Sequence, residues 1–205
     1  MKRRSPGGSP HRHVRAGARL GVLGVVLGMV ALGLGAAPAA ADTGTLNYTC
    51  SASILTNQQF TVVVHGTVPE AAAVGDTVTL AGLSADVTVN SGATGALYHF
   101  LGVRSVTGTA QVDAVVDNAG TPVPQPATPM TIPATDVPSS GSLTVVASGT
   151  GPSFVTTTPG TVRFVAGPFT ADLLGTTWTG GTQNIPVSCV PDAGQDLTIA
   201  SVTVA

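Results

Sequence analysis

Phe60-Thr61-Val62-Val63-Val64-His65-Gly66-Thr67-Val68-Pro69 is the stretch whose reading decides the fold, because it returns as Leu143-Thr144-Val145-Val146-Ala147-Ser148-Gly149-Thr150-Gly151-Pro152. In both copies one parity is apolar, Phe60, Val62 and Val64 in the first and Leu143, Val145 and Ala147 in the second. Each then runs into glycine, threonine and proline, so each reads as a half-buried strand followed by turn chemistry. The echo continues, with small insertions, from Thr77–Val87 to Thr161–Leu173 at an offset of about 83 residues. Self-similarity sets the unit of folding. The expected architecture is all-β: an antiparallel β-sandwich of the immunoglobulin-like or Greek-key type, one domain over residues 42–205, built from related halves at about 46–120 and 138–205.

Working outward, Leu46, Tyr48 and Cys50 alternate with polar neighbours, which predicts a first strand with Cys50 inward. Ile185, Val187 and Cys189 alternate in the same way, and Pro186 predicts that this late strand is an edge or is bulged. Asp76–Leu80 and Ala85–Val89 predict a hairpin around Ala81-Gly82, and Val106–Val116 the longest strand, bent at Gly108. Ala96–Leu101 is too short to tell a helical turn from a strand lip. Six prolines between Thr121 and Ser140 predict an extended crossover with few hydrogen bonds of its own, or a linker between two small domains. A bulge is expected near Ala200-Ser201 in a final strand.

Ahead of all this, Lys2, Arg3, Arg4, Arg12, Arg15 and Arg19 precede an apolar run from Leu20 to about Ala37, and Ala39-Ala40-Ala41 supplies a small-residue cleavage pattern. Residues 1–41 therefore read as a signal peptide cut after Ala41, an uncleaved anchor being the alternative. Arg3-Arg4 leaves a twin-arginine route open beside the general one.

Residues 42–205 keep only Arg104 and Arg163 against ten acidic residues, a net charge of −8 with no lysine. Nucleic acid and anionic lipid both require a basic face, so neither is expected as a partner, and no membrane contact is expected once the leader is gone. Cell-wall glycan or another envelope protein are the partners left open. Cys50 and Cys189 are the only cysteines, and an even pair in an exported chain reads as a disulfide, pinning the first strand to the late one across the core.

Chemistry finds little to work with. His65 and His99 are the only histidines after residue 41, and no Gly-x-Ser-x-Gly elbow accompanies them. His65 aligns with Ser148, which reads as a solvent-facing site. Glu70 is the only glutamate, Asp86 and Asp172 align with each other, and Asp113 and Asp117 read as a solvated face before a calcium site. No catalytic residue, metal or cofactor is expected. Tyr98, Phe100 and Trp178 are the candidate ligand-binding aromatics, since such rings stack on sugars, although the single tryptophan is read first as a core residue.

Leu46-Asn47-Tyr48-Thr49-Cys50, Gly66-Thr67-Val68-Pro69 with Val74-Gly75-Asp76, Val106-Thr107-Gly108-Thr109-Ala110, Pro138 through Thr144, and Ala166-Gly167 together resemble an uncharacterised family of secreted actinobacterial β-sandwich proteins. The resemblance implies an exported, disulfide-closed β fold of the cell envelope or its surroundings, and it carries over no catalytic residue. The function expected is a secreted, non-catalytic structural or binding module, monomeric or weakly associating. A carbohydrate or cell-wall-glycan binding module is the alternative, and a small secreted hydrolase a third.

Overall fold

A computed structural model describes residues 38–52 and 55–205, all within one compact unit. Their strands are β1 (Pro38–Asp42), β2 (Leu46–Ala52), β3 (Leu55–Pro69), β4 (Ala71–Ala72), β5 (Thr77–Thr79) and β6 (Ala81–Val89), followed by a helical turn, α1 (Ser91–Gly95), continued as one π-turn (Ala96–Phe100). Then come β7 (Val103–Asn118), β8 (Thr121–Pro124), β9 (Thr128–Asp136), β10 (Leu143–Gly149), β11 (Ser153–Val155), β12 (Gly160–Thr177), β13 (Thr182–Pro191) and β14 (Thr198–Val204). The expected leader falls mostly on residues 1–37, outside the described residues. Among the described residues no helix is long and apolar enough to cross a membrane.

Alternation builds the strands as read: in β2 Leu46, Tyr48 and Cys50 are buried between exposed or half-exposed neighbours, and in β10 Leu143, Val145 and Ala147 are. The all-β, largely antiparallel fold is as expected. Its two faces, however, belong to one continuous sheet. Hydrogen bonding runs β12-β13-β2-β3-β6-β10-β9-β7, and β7 pairs again with β12, so eight strands close a ring around a single apolar core. The long β12 makes closure possible: its first half lies between β7 and β14, its second half between β7 and β13.

The closing seam brings two backbones unusually near. A Cβ on Gly108 of β7 would lie 2.2 Å from the Asp172 carbonyl oxygen, and one on Gly167 of β12 would lie 2.5 Å from that of Asp113. Register slips beside both glycines, between Val106 and Gly108 against β9 and between Ala166 and Phe169 against β7. A register irregularity thus accompanies Gly108, where the absence of a side chain lets the two backbones approach. Tyr48 reaches the same place from β2, its hydroxyl donating to the Gly167 carbonyl at 3.0 Å, and burial pushes its pKa up to about 12.

Cys50 and Cys189 form the expected disulfide. They do not bridge the core: they face each other as direct partners on adjacent strands β2 and β13, because closure of the ring makes those strands neighbours. Pro186 sits on β13 against Asp172 of β12, just before the segment that meets β2, so its missing N–H costs no ladder bond on that side.

Three other expectations are corrected. β5 and β6 make no hairpin: β6 has both edges taken by β3 and β10, which leaves β5 to pair with β11. The proline-rich crossover is itself structure, β8 folding back on β7 and β9 entering the ring. Its prolines are tolerated because β9 meets β10 at only two residue pairs, Ser148 with Thr131 and Gly149 with Met130, and is otherwise paired on one edge. The longest strand is β12, not β7.

The echoing stretches sit on either side of β6 in one register: Val62 and Val145 both pair with Val87, and His65 and Ser148 both pair with Ser84. Their likeness reflects one shared environment, the same face of the same neighbour. Beyond it the correspondence stops, since β12, the counterpart of β5 and β6, pairs with β7, β13 and β14 and not with β10. The expected bulge in the final strand lies at Ile199, where Phe164 and Val165 pair with Ala200 and Thr198.

Candidate functional site

One end of the ring collects the turns that carry aromatic side chains. Asn90 starts the helical turn, its side-chain oxygen accepting from the Ala93 N–H at 2.9 Å. Ala93, Thr94, Ala96 and Leu97 are buried, which throws Phe100 outward. Gly102 then turns the chain into β7 with φ +67°. Trp178, at the tip of the β12–β13 hairpin, donates its backbone N–H to the Gly102 carbonyl at 3.0 Å, and its indole lies against the face of Gly102 where any Cβ would stand.

Tyr98, Phe100 and Trp178 are thus brought to one end. Phe100 is 83% exposed and Trp178 72% exposed, so the reading of the single tryptophan as a core residue is corrected. A tight turn closed by Thr177, which donates its hydroxyl to the Gly181 carbonyl at 3.1 Å, leaves that side chain no inward path. Tyr98 is half-buried beneath Arg104, whose guanidinium stacks 3.6 Å above the ring centroid and donates to the Tyr98 carbonyl at 2.8 Å. Arg104, which sequence reading passed over, therefore braces the aromatic turn; it is one of only two cations after residue 41, the one signal that marked it.

Because Trp178 is the chain's only tryptophan, intrinsic fluorescence reports this end directly. Native protein is expected to emit like a solvent-exposed indole and to be quenched by acrylamide nearly as well as the unfolded chain. A blue-shifted, quencher-resistant emission would contradict the placement.

The histidines lie apart from each other. His99 contacts the Ser139 carbonyl at 3.1 Å beside the aromatic turn. His65 faces outward at the strand row it shares with Ser84 and Ser148, as its alignment with serine suggested, with Nδ1 2.7 Å from Asp42 and Nε2 3.5 Å from Asp86. The hydrogen bond to Asp42 raises its pKa above the ordinary value near 6.5, and Asp86 adds to this. With the folded value raised, the contact stabilises fully below about pH 6.5 and is lost as pH climbs through the folded pKa. NMR titration of the His65 ring is expected to give a pKa above the ordinary one, falling towards it in Asp42→Asn; an unshifted wild-type value would refute the contact.

Two of the acidic side chains serve turn and strand contacts. Asp117 accepts from the Gly120 N–H at 2.7 Å to close the β7–β8 turn, and Asp86 engages His65. Among the described residues no three His, Cys, Asp or Glu side chains converge as metal ligands.

Inside the ring lies an apolar cavity of about 90 Å3. Ala85, Ala110, Ala147 and Ala171 are among its walls, where larger side chains would have filled it. At ~24 cal/mol per Å3 such a space forgoes about 2 kcal/mol of packing. Sequence reading did not find it, since an inward alanine looks the same whether its neighbours reach it or not.

No curated protein and no solved structure matches the chain. A family described as "Family of unknown function (DUF6801)" matches residues 47–200, about three quarters of the sequence, a span that takes in both cysteines, the closing seam and the aromatic end. The chain belongs to that family of unknown function.

Proposed function

We propose that the chain is exported and acts outside the membrane as a non-catalytic binding module of the cell envelope or its surroundings, and that its ligand is a neutral glycan of the wall. The observation that carries the reading is the pair of exposed rings, Phe100 and Trp178, held at one end by turns that are themselves braced, Trp178 against Gly102 and the Tyr98 backbone by Arg104. Large apolar rings left in water on rigid turns suit stacking on the apolar faces of pyranoses. A net charge of −8 after residue 41 favours an uncharged polymer over an anionic one. Export is supported by the basic and apolar leader sequence, the disulfide and the resemblance to secreted actinobacterial β-sandwich proteins.

Co-sedimentation with isolated peptidoglycan, together with affinity electrophoresis in soluble neutral glycans, tests the proposal. Wild type is expected to be retained, and Phe100→Ala with Trp178→Ala to lose retention by tenfold or more, since each stacked ring is worth on the order of 1 kcal/mol. Equal retention of the double variant, or no retention of wild type on any wall fraction, would overturn it.

A further inference from the structure

The space inside the ring is longer than its main cavity. A second apolar void of about 40 Å3 shares Phe60, Val89, Val145, Leu173 and Val187 with the first, so the two adjoin along the ring. Together they reach from Leu80 and Pro152 to Ala93 and Leu97 of the helical turn. Their lining is almost wholly carbon.

The wall beside the helical turn is not continuous sheet. β9 and β10 diverge after their two shared residue pairs, and the segment Ser91–Phe100 closes the gap from above. The Leu143 N–H donates to the Thr94 hydroxyl at 3.1 Å, and His99 meets the Ser139 carbonyl in the loop between the two strands. The void beside Ala93 and Leu97 is thus capped by side chains of a short turn instead of a hydrogen-bonded ladder.

We propose that the two adjoining voids join into one channel that binds an unbranched alkyl chain, with any polar head left at the mouth beside Ser91–Phe100. A space lined almost wholly by carbon offers nothing to hold a hydrogen-bonding ligand. A chain of methylenes suits such a lining. Neither exposed ring lines the voids, and the proposal does not depend on the glycan reading.

Methyl-detected NMR titration with decanoate, and in a second arm with dioctanoyl phosphatidylcholine below its micelle concentration, tests the proposal for a free and a lipid-borne chain. Saturable shifts are expected at Val87, Val145 and Leu173, with affinity rising about fourfold per added methylene until the channel is full. Ala147→Leu, and separately Ala110→Leu, narrow the channel and are expected to weaken binding at least tenfold while circular dichroism and the disulfide stay native. Trp178→Ala alone, whose side chain lines neither void, is expected to bind the alkyl chain normally while its glycan retention falls, so the two sites fail or stand independently. No saturable shift in either arm, or unchanged affinity in a folded Ala→Leu variant, would overturn the site.

Discussion

Reduction of the Cys50–Cys189 bond, or its replacement by Cys50→Ser with Cys189→Ser, is expected to lower unfolding stability by about 4–5 kcal/mol. The bond closes a loop of 139 residues, and in the chain-entropy description a loop that long removes close to ~5 kcal/mol of freedom from the unfolded chain. The native state loses less, because other contacts also tie β2 to the end of β13. Thr49 donates to Asp192 at 2.8 Å, and Asn47 exchanges hydrogen bonds with Gln195 at 2.8 and 2.6 Å. The reduced protein should therefore keep its fold at room temperature, with a thermal midpoint lower by roughly 10–20 °C. Denaturant melts with and without reductant measure the difference. A loss below about 1 kcal/mol would mean that the unfolded chain is already confined, and the entropic account would fail.

Gly108→Val should be as damaging through a different cause. Its Cβ would stand 2.2 Å from the Asp172 carbonyl oxygen and 3.0 Å from the Leu173 Cα, both backbone atoms of the partner strand. Neither can move without parting β7 from β12, the one pairing that turns an open sheet into a ring. A loss of about 3 kcal/mol or more is expected, against an ordinary surface change within ~0.5 kcal/mol. Gly95→Ala is the control: Gly95 has helical angles and open space at its Cβ, so the change should stabilise by about 0.4–1 kcal/mol. Comparable stability of Gly108→Val and wild type would show that the seam tolerates separation.

Strand-by-strand reading of the chain succeeded wherever one face of a strand is wet, because burial of alternate side chains then writes itself into period two. β2, β10 and the end of β7 were legible for that reason. The misreadings share a cause of another kind. Asp76–Leu80 looked like half of a hairpin because it is extended and adjacent, yet β6 had no free edge to offer it. The prolines of 121–140 argued against pairing because only the missing donors show in the sequence, whereas β9 uses mainly its β7 edge. Trp178 was read first as a core residue because the chain has no other tryptophan, and turn geometry sent it out.

The candidate site divides in the same way. Tyr98, Phe100 and Trp178 were nameable from residue type alone, but their meeting at one end required β7 and β12 to be neighbours, and nothing local records that. Arg104 became visible as a brace only with Tyr98 beneath it.

By itself the amino-acid order determined an all-β chain, its inward faces and the pairing of its only two cysteines, because alternation, turn chemistry and a count of two are local properties. Closure of the ring, the placing of those cysteines side by side, the exposed rings at one end and the channel within were decided by the tertiary structure. Each depends on which strand lies beside which, and strand order follows from edges and backbone approach across the whole sheet, which no window of sequence contains.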